Sequence, residues 1–105
     1  MSEAARILLA RGNLYMTSAV YDRYFAGLEA VVLLRRGEDL AILPVRHAAA
    51  GGYLLKRRNA AGDRIVGAAD FFREQGIDDE IERPLAVHWQ TELAGLSVPG
   101  LFRGL

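Results

Sequence analysis

The residue types best suited to chemistry stand together in one stretch. Arg46 and His47 follow an apolar run and precede Ala48-Ala49-Ala50-Gly51-Gly52. Small residues let backbone amides approach a bound group closely. Arginine offers a planar fork of donors to a carboxylate or phosphate, and histidine titrates near neutral pH. Arg46, His47, Gly51 and Gly52 are therefore the expected ligand- or anion-binding segment, and an enzyme using His47 as general base beside Arg46 is its catalytic form. The spacing is neither GxxxxGK[ST] nor GxGxxG, so no phosphate cradle is specified. A plain connecting loop has the same composition.

A second cluster is basic. Between Tyr53 and Gly67 the charges are Lys56, Arg57, Arg58 and Arg64 against Asp63, a local net of +3. Between Asp70 and Arg83, Asp70, Glu74, Asp78, Asp79, Glu80 and Glu82 face only Arg73 and Arg83, a local net of −4. The first is the expected polyanion- or partner-binding patch, or else a solvated hairpin end. Separate patches of opposite sign on one small domain suit self-association. The acidic run lacks the Asp-x-Asp rhythm and central glycine of a calcium loop, so no metal site is expected.

Other chemistries are excluded or unsupported. The absence of cysteine removes disulfides, thiolate metal sites and a Cys nucleophile. Ser2, Thr17, Ser18, Thr91 and Ser97 occupy no Gly-x-Ser-x-Gly elbow. No catalytic residue and no cofactor are assigned. His88 alternates with Val87 and Trp89 and reads as a half-exposed structural histidine. Thirteen Lys and Arg balance thirteen Asp and Glu, so no global field recruits nucleic acid or an anionic membrane. The longest uninterrupted apolar run, Ala30 to Leu34, is far too short to span a bilayer. A cytoplasmic protein is expected.

These residues need a scaffold, and 105 residues with 51% hydrophobic content supply one domain over 1–105. Ser2 reads as the cap of a first helix reaching Arg11, with Gly12 ending it. Thr17 reads as a second N-cap, with Met16 and Tyr21 at the staple positions. Val20, Tyr21, Tyr24, Phe25 and Leu28 form the apolar face of the helix it opens. Ala30–Leu34, Leu40–Leu43, Tyr53–Arg58, Arg64–Gly67 and Leu85–Thr91 read as strands, and Asp70–Gln75 as a short helix closed by Gly76. The expected fold is α+β: an antiparallel sheet of four to five strands with two or three short helices on one face. Its core should include Val20, Tyr24, Phe25, Val32, Leu34, Ile42, Leu55, Phe71 and Val87.

The segment from Leu93 to Leu105 reads differently. Its large apolar side chains would each cost about 1.5–3 kcal/mol if left in water. Gly95, Pro99, Gly100 and Gly104 argue against a regular element there. Leu96, Leu101, Phe102 and Leu105 must dock, either on this chain's own core or on a neighbour, and are the expected interface residues.

Gly62-Asp63-Arg64-Ile65-Val66, with the short helix ending at Gly76-Ile77, resembles the strand–loop–helix of swapped-hairpin transcription factors of the AbrB type. The likeness covers residues 62–77 only. Ala68 stands where that family has a proline, and Asp78-Asp79-Glu80 where it has a Gly-Asp turn. The resemblance implies a DNA-binding regulator with Lys56, Arg57, Arg58 and Arg64 on phosphates. The function expected from the residues themselves is a small non-catalytic binding, accessory or regulatory module. It acts through protein–protein contacts as a homodimer or with a protein partner, with no nucleic acid and no membrane. The alternative is the small-ligand site at Arg46 and His47.

Overall fold

The computed structural model of the protein describes residues 5–47 and 51–105. It replaces the expected small sheet with one antiparallel sheet of nine strands, in the order β5-β3-β4-β9-β8-β1-β2-β7-β6. In chain order these are β1 Ala5–Ala10, β2 Asn13–Met16, β3 Ala30–Arg36, β4 Asp39–Val45, β5 Tyr53–Leu54, β6 Lys56–Arg57, β7 Arg64–Gly67, β8 Glu82–Gln90 and β9 Gly95–Val98. Helix α1, Ser18–Tyr24, follows β2, and α2, Ala69–Glu74, follows β7.

The edge strands β5 and β6 are neighbours in the chain, separated only by Leu55. Tyr53 and Leu54 pair with β3, Lys56 and Arg57 pair with β7, and the Leu55 N–H donates to the Glu29 carbonyl at 2.8 Å. One short kinked stretch therefore joins both edges of the sheet and nearly closes it into a barrel. Closure leaves few unpaired edge groups, which suits a chain of this size.

The first correction is at the start of the chain. Residues 5–10 are a strand, not a helix, with Ile7 and Leu9 inward and Arg6 and Leu8 outward. An apolar residue at the outward Leu8 hides the period of two. Gly12 does not end a helix; Arg11 and Gly12 have φ of 52° and 76° and turn β1 into β2. Two left-handed residues are the mark of a type I′ hairpin. Gly12 is also a contact point, because a Cβ there would lie 2.5 Å from Ala69 Cα at the start of α2. Ser2 lies outside the described residues.

The second correction is at the other end. Gly95–Val98 is a regular strand between β4 and β8, with Leu96 and Val98 inward. Gly95 serves close approach: a Cβ would stand 2.6 Å from the Ile42 carbonyl oxygen. A third correction concerns register. In β3 the buried residues are Val31 and Leu33, whereas Val32 is half-buried and Leu34 exposed. A five-residue apolar run does not itself say which alternate members face inward.

Both barrel ends are plugged. Thr17 caps α1 as expected, its hydroxyl accepting from the Val20 N–H at 3.3 Å, and Val20 and Phe25 fill that end. At the other end α2 inserts Phe72, and the final residues insert Leu101 and Phe102. Of the expected core, Val20, Phe25, Ile42, Leu55 and Val87 are buried, while Tyr24 and Phe71 are partly buried against it. Among the described residues no helix is long and apolar enough to cross a membrane.

Candidate functional site

At the α1 end two aromatic rings stand at the rim. β8 directs Leu85 and Val87 into the barrel, and Trp89 is next in the same alternation. The strand has by then passed the end of the core, so the Trp89 side chain emerges and is 42% exposed. Helix α1 is only seven residues long. Phe25, its C-cap, turns inward, while Tyr24 stays at the surface beside Trp89.

The two ring centroids are 5.8 Å apart and the planes differ by 8°. This is the offset stacked geometry that aromatic quadrupoles favour. The Arg23 guanidinium lies 5.1 Å from the Tyr24 centroid on the same surface. The three side chains line a shallow depression of about 260 Å³. Stacking fixes two large rings before anything binds them, so little rotamer freedom remains to be lost on association. Among the described residues its lining is Arg23, Tyr24 and Trp89, which offer recognition by apolar area, π-faces, one phenol hydroxyl and one cation.

The expected basic patch sits nearby but is largely engaged within the chain. Arg57 and Arg64 are cross-strand partners. Arg57 donates to the carbonyls of Asn59 and Ala60 at 3.0 Å each. Arg58 lies 4.8 Å from the Tyr15 ring centroid, and Arg64 lies 3.9 Å from that of Tyr21 while donating to the Gly62 carbonyl. Lys56 is exposed on the opposite face from Arg57. The four cations are therefore not one continuous surface. Strand β7 pairs with β2 and β6 of its own chain, so residues 62–77 form barrel wall and plug.

Arg46 and His47 are both exposed. The His47 Nδ1 lies 3.6 Å from a Glu29 carboxylate oxygen, a solvent-exposed pair of small energetic consequence. Gly51 has φ 93°, and a Cβ on Gly52 would lie 3.1 Å from the Val31 carbonyl oxygen. Both glycines thus have a backbone reason to be there, the chain re-entering the sheet at β5. Residues 48–50 lie outside the described residues. Among the described residues no group of three His, Asp or Glu is placed to hold a metal ion.

Of the four expected interface residues, Leu96, Leu101 and Phe102 are packed inside their own barrel, and only Leu105 is exposed. The backbone fixes that segment in place. The Gly100 N–H donates to Asp39 Oδ1 at 2.9 Å, the Phe102 N–H to the Glu38 carbonyl at 2.8 Å, and Arg35 to the Leu105 carbonyl at 2.7 Å.

Trp89 and Tyr24 were legible individually but not as a pair. The signal was that the only tryptophan falls at the end of a strand. There an inward alternation runs out of core. No protein-family model matches the chain, and neither a curated protein nor a solved structure matches it.

Proposed function

We propose that this chain is a non-catalytic binding module acting through protein–protein contact, with a second copy of itself as partner and the Tyr24–Trp89–Arg23 surface at the centre of the interface. The observation that carries the reading is the stacked, half-exposed Tyr24–Trp89 pair flanked by Arg23. Tryptophan, tyrosine and arginine are the residues on which interface energy concentrates. A two-fold interface needs a surface that complements itself. Flat rings with an arginine beside them meet that need, because each guanidinium can cover the partner's exposed ring face.

Trp89 is the only tryptophan, so its fluorescence reports this surface and nothing else. Self-association should blue-shift and brighten the emission as protein concentration rises, in step with a doubling of mass in sedimentation. Replacing Arg23 by Glu should reverse both effects while leaving the barrel folded. A monomer at every concentration with unchanged emission defeats the reading. So does a dimer in which Trp89 stays fully solvated.

A further inference from the structure

On the outer wall of the barrel, on the face of β8 opposite to Trp89, β4 and β9 form the floor of a cavity of about 500 Å³. That volume falls within the roughly 300–1,000 Å³ of small-molecule sites. The floor is made of small side chains, Ala41 and Ser97, which are direct cross-strand partners. Arg36 and Asp39, paired at the β3–β4 turn, stand at one end, and Gln90 and Leu93 at the other. The cavity therefore has different chemistry at its two ends.

Ser97 distinguishes this cavity from a chance groove. It is the buried polar residue of the core region, 3% exposed, and sits between Ala41 and His88 in the sheet. Among the described residues its hydroxyl makes no side-chain hydrogen bond, yet no buried side-chain oxygen or nitrogen is both sealed from solvent and unpartnered. The hydroxyl's remaining access is therefore through the cavity it lines. A hydroxyl held this way presents one donor and two acceptor positions to whatever occupies the space.

The other polar groups have definite capacities. Arg36 is exposed and makes no ion pair with any carboxylate among the described residues, so its fork is open to an anion. Asp39 already accepts the Gly100 N–H through Oδ1, which leaves acceptor capacity for a further donor. Gln90 offers an amide and Leu93 an apolar surface at the far end.

We infer that this cavity binds a small amide-linked carboxylic acid, of the N-acyl amino acid or dipeptide class. The carboxylate meets Arg36, the amide N–H meets Asp39, the amide carbonyl meets the Ser97 hydroxyl, and an apolar side chain lies against Leu93. A simple inorganic anion would answer Arg36 alone and leave the Asp39 carboxylate, the Ser97 hydroxyl and the Leu93 side chain without a counterpart. This site is separate from the self-association surface, and each can fail without the other.

The probe is N-acetyl-L-leucine, titrated into the isotope-labelled full chain and followed by backbone amide NMR. Its N-methylamide, which lacks the carboxylate, is the matched control. Saturable shifts at Ala41, Gln90 and Ser97 are expected, with Trp89 fluorescence unchanged. R36Q should weaken binding by about tenfold or more, equivalent to at least one factor of ten in Kd. S97A should weaken it with the fold intact, since among the described residues that hydroxyl makes no side-chain hydrogen bond. The methylamide should bind no better to the wild type than N-acetyl-L-leucine binds to R36Q. Absence of saturable shifts overturns the inference, as do shifts confined to other surfaces. Equal affinity for acid and methylamide overturns it too, because Arg36 would then recognise nothing.

Discussion

The Asp63 carboxylate accepts the backbone N–H of Ser18 at 2.8 Å across 45 residues of sequence, and so ties the β6–β7 turn to the first turn of α1. The same carboxylate accepts from the Asn59 side-chain amide at 3.0 Å, while the Asp63 N–H donates to the Asn59 side-chain oxygen at 3.1 Å. A turn that is usually only punctuation here holds the helix that plugs one end of the barrel.

Hydrogen bonds from Asn59 and then from Ser18 favour the ionised form and lower the Asp63 pKa below its ordinary 3.8. A depressed carboxylate pKa contributes stability that is present above the unfolded value and is lost as pH falls through the folded value. Thermal melting of the wild type should therefore show an acid-side loss, below about pH 4, that D63N lacks. Carboxyl NMR titration checks the cause directly. Asp63 titrating at or above the ordinary value would remove it.

The same region shows what sequence can and cannot convey. Thr17, Val20 and Phe25 announce a capped amphipathic turn, and α1 begins where the pattern puts it but ends at Tyr24, short of Leu28. Turn chemistry at Gly37 and Asn59–Asp63 likewise marks real hairpins. The number of strands was hidden for three local reasons. Leu8 fills an outward position and masks alternation in β1, and Arg11-Gly12 makes a type I′ turn without the usual Asn or Asp. In β9, Gly95 permits close approach to Ile42 instead of breaking a strand. Closure through Leu55 depends on two pairings far apart in sequence, β5 with β3 and β7 with β2, that no local pattern encodes. The Tyr24–Trp89 stack has the same character, since each ring is set by its own element and their meeting by the barrel.

Gly12→Ala should destabilise the fold for two separable reasons. Its φ of 76° is strained for alanine, and the new Cβ would meet backbone of α2 at 2.5 Å. Gly37→Ala carries only the first, because φ is 62° and nothing lies within 4 Å of the added atom. Urea unfolding should show a loss of about 1 kcal/mol for Gly37→Ala and a clearly larger one for Gly12→Ala. Equal losses would mean that α2 moves aside without cost.

Tyr53 joins the closing stretch to α2, its hydroxyl 3.3 Å from both carboxylate oxygens of Asp70. Burial first, then the Asp70 charge and hydrogen bond, raise its pKa above the usual 10.0. A raised phenol pKa contributes stability that is fully present below the unfolded value and is lost as pH climbs through the folded one. Tyrosinate absorbance of the wild type minus that of Y53F should place Tyr53 above 10.0, and D70N should bring it down. A difference spectrum that is unmoved by D70N would show that the carboxylate does not face the phenol.

Removing residues 93–105 should unfold the protein rather than release a docking arm. The deletion takes out β9, and with it the only link between β4 and β8 in the strand order, so the sheet falls into two pieces. It also removes Leu96, Val98, Leu101 and Phe102 from the core and frees Asp39 and Glu38 from the backbone N–H groups of Gly100 and Phe102. Truncation is too blunt to separate these losses, so Phe102→Ala is the informative variant. Its ring is fully buried, packs edge-on at 6.3 Å from Phe71 and carries the Arg35 guanidinium at 5.1 Å. Emptying that position should cost about 3–5 kcal/mol, read by urea unfolding, with sedimentation of the folded fraction unchanged. By contrast Leu105→Ala, at a 54% exposed side chain, should leave stability within about 0.5 kcal/mol of the wild type. If Phe102→Ala alters mass in solution while barely changing stability, that ring belongs to an interface between chains and not to the end of this barrel.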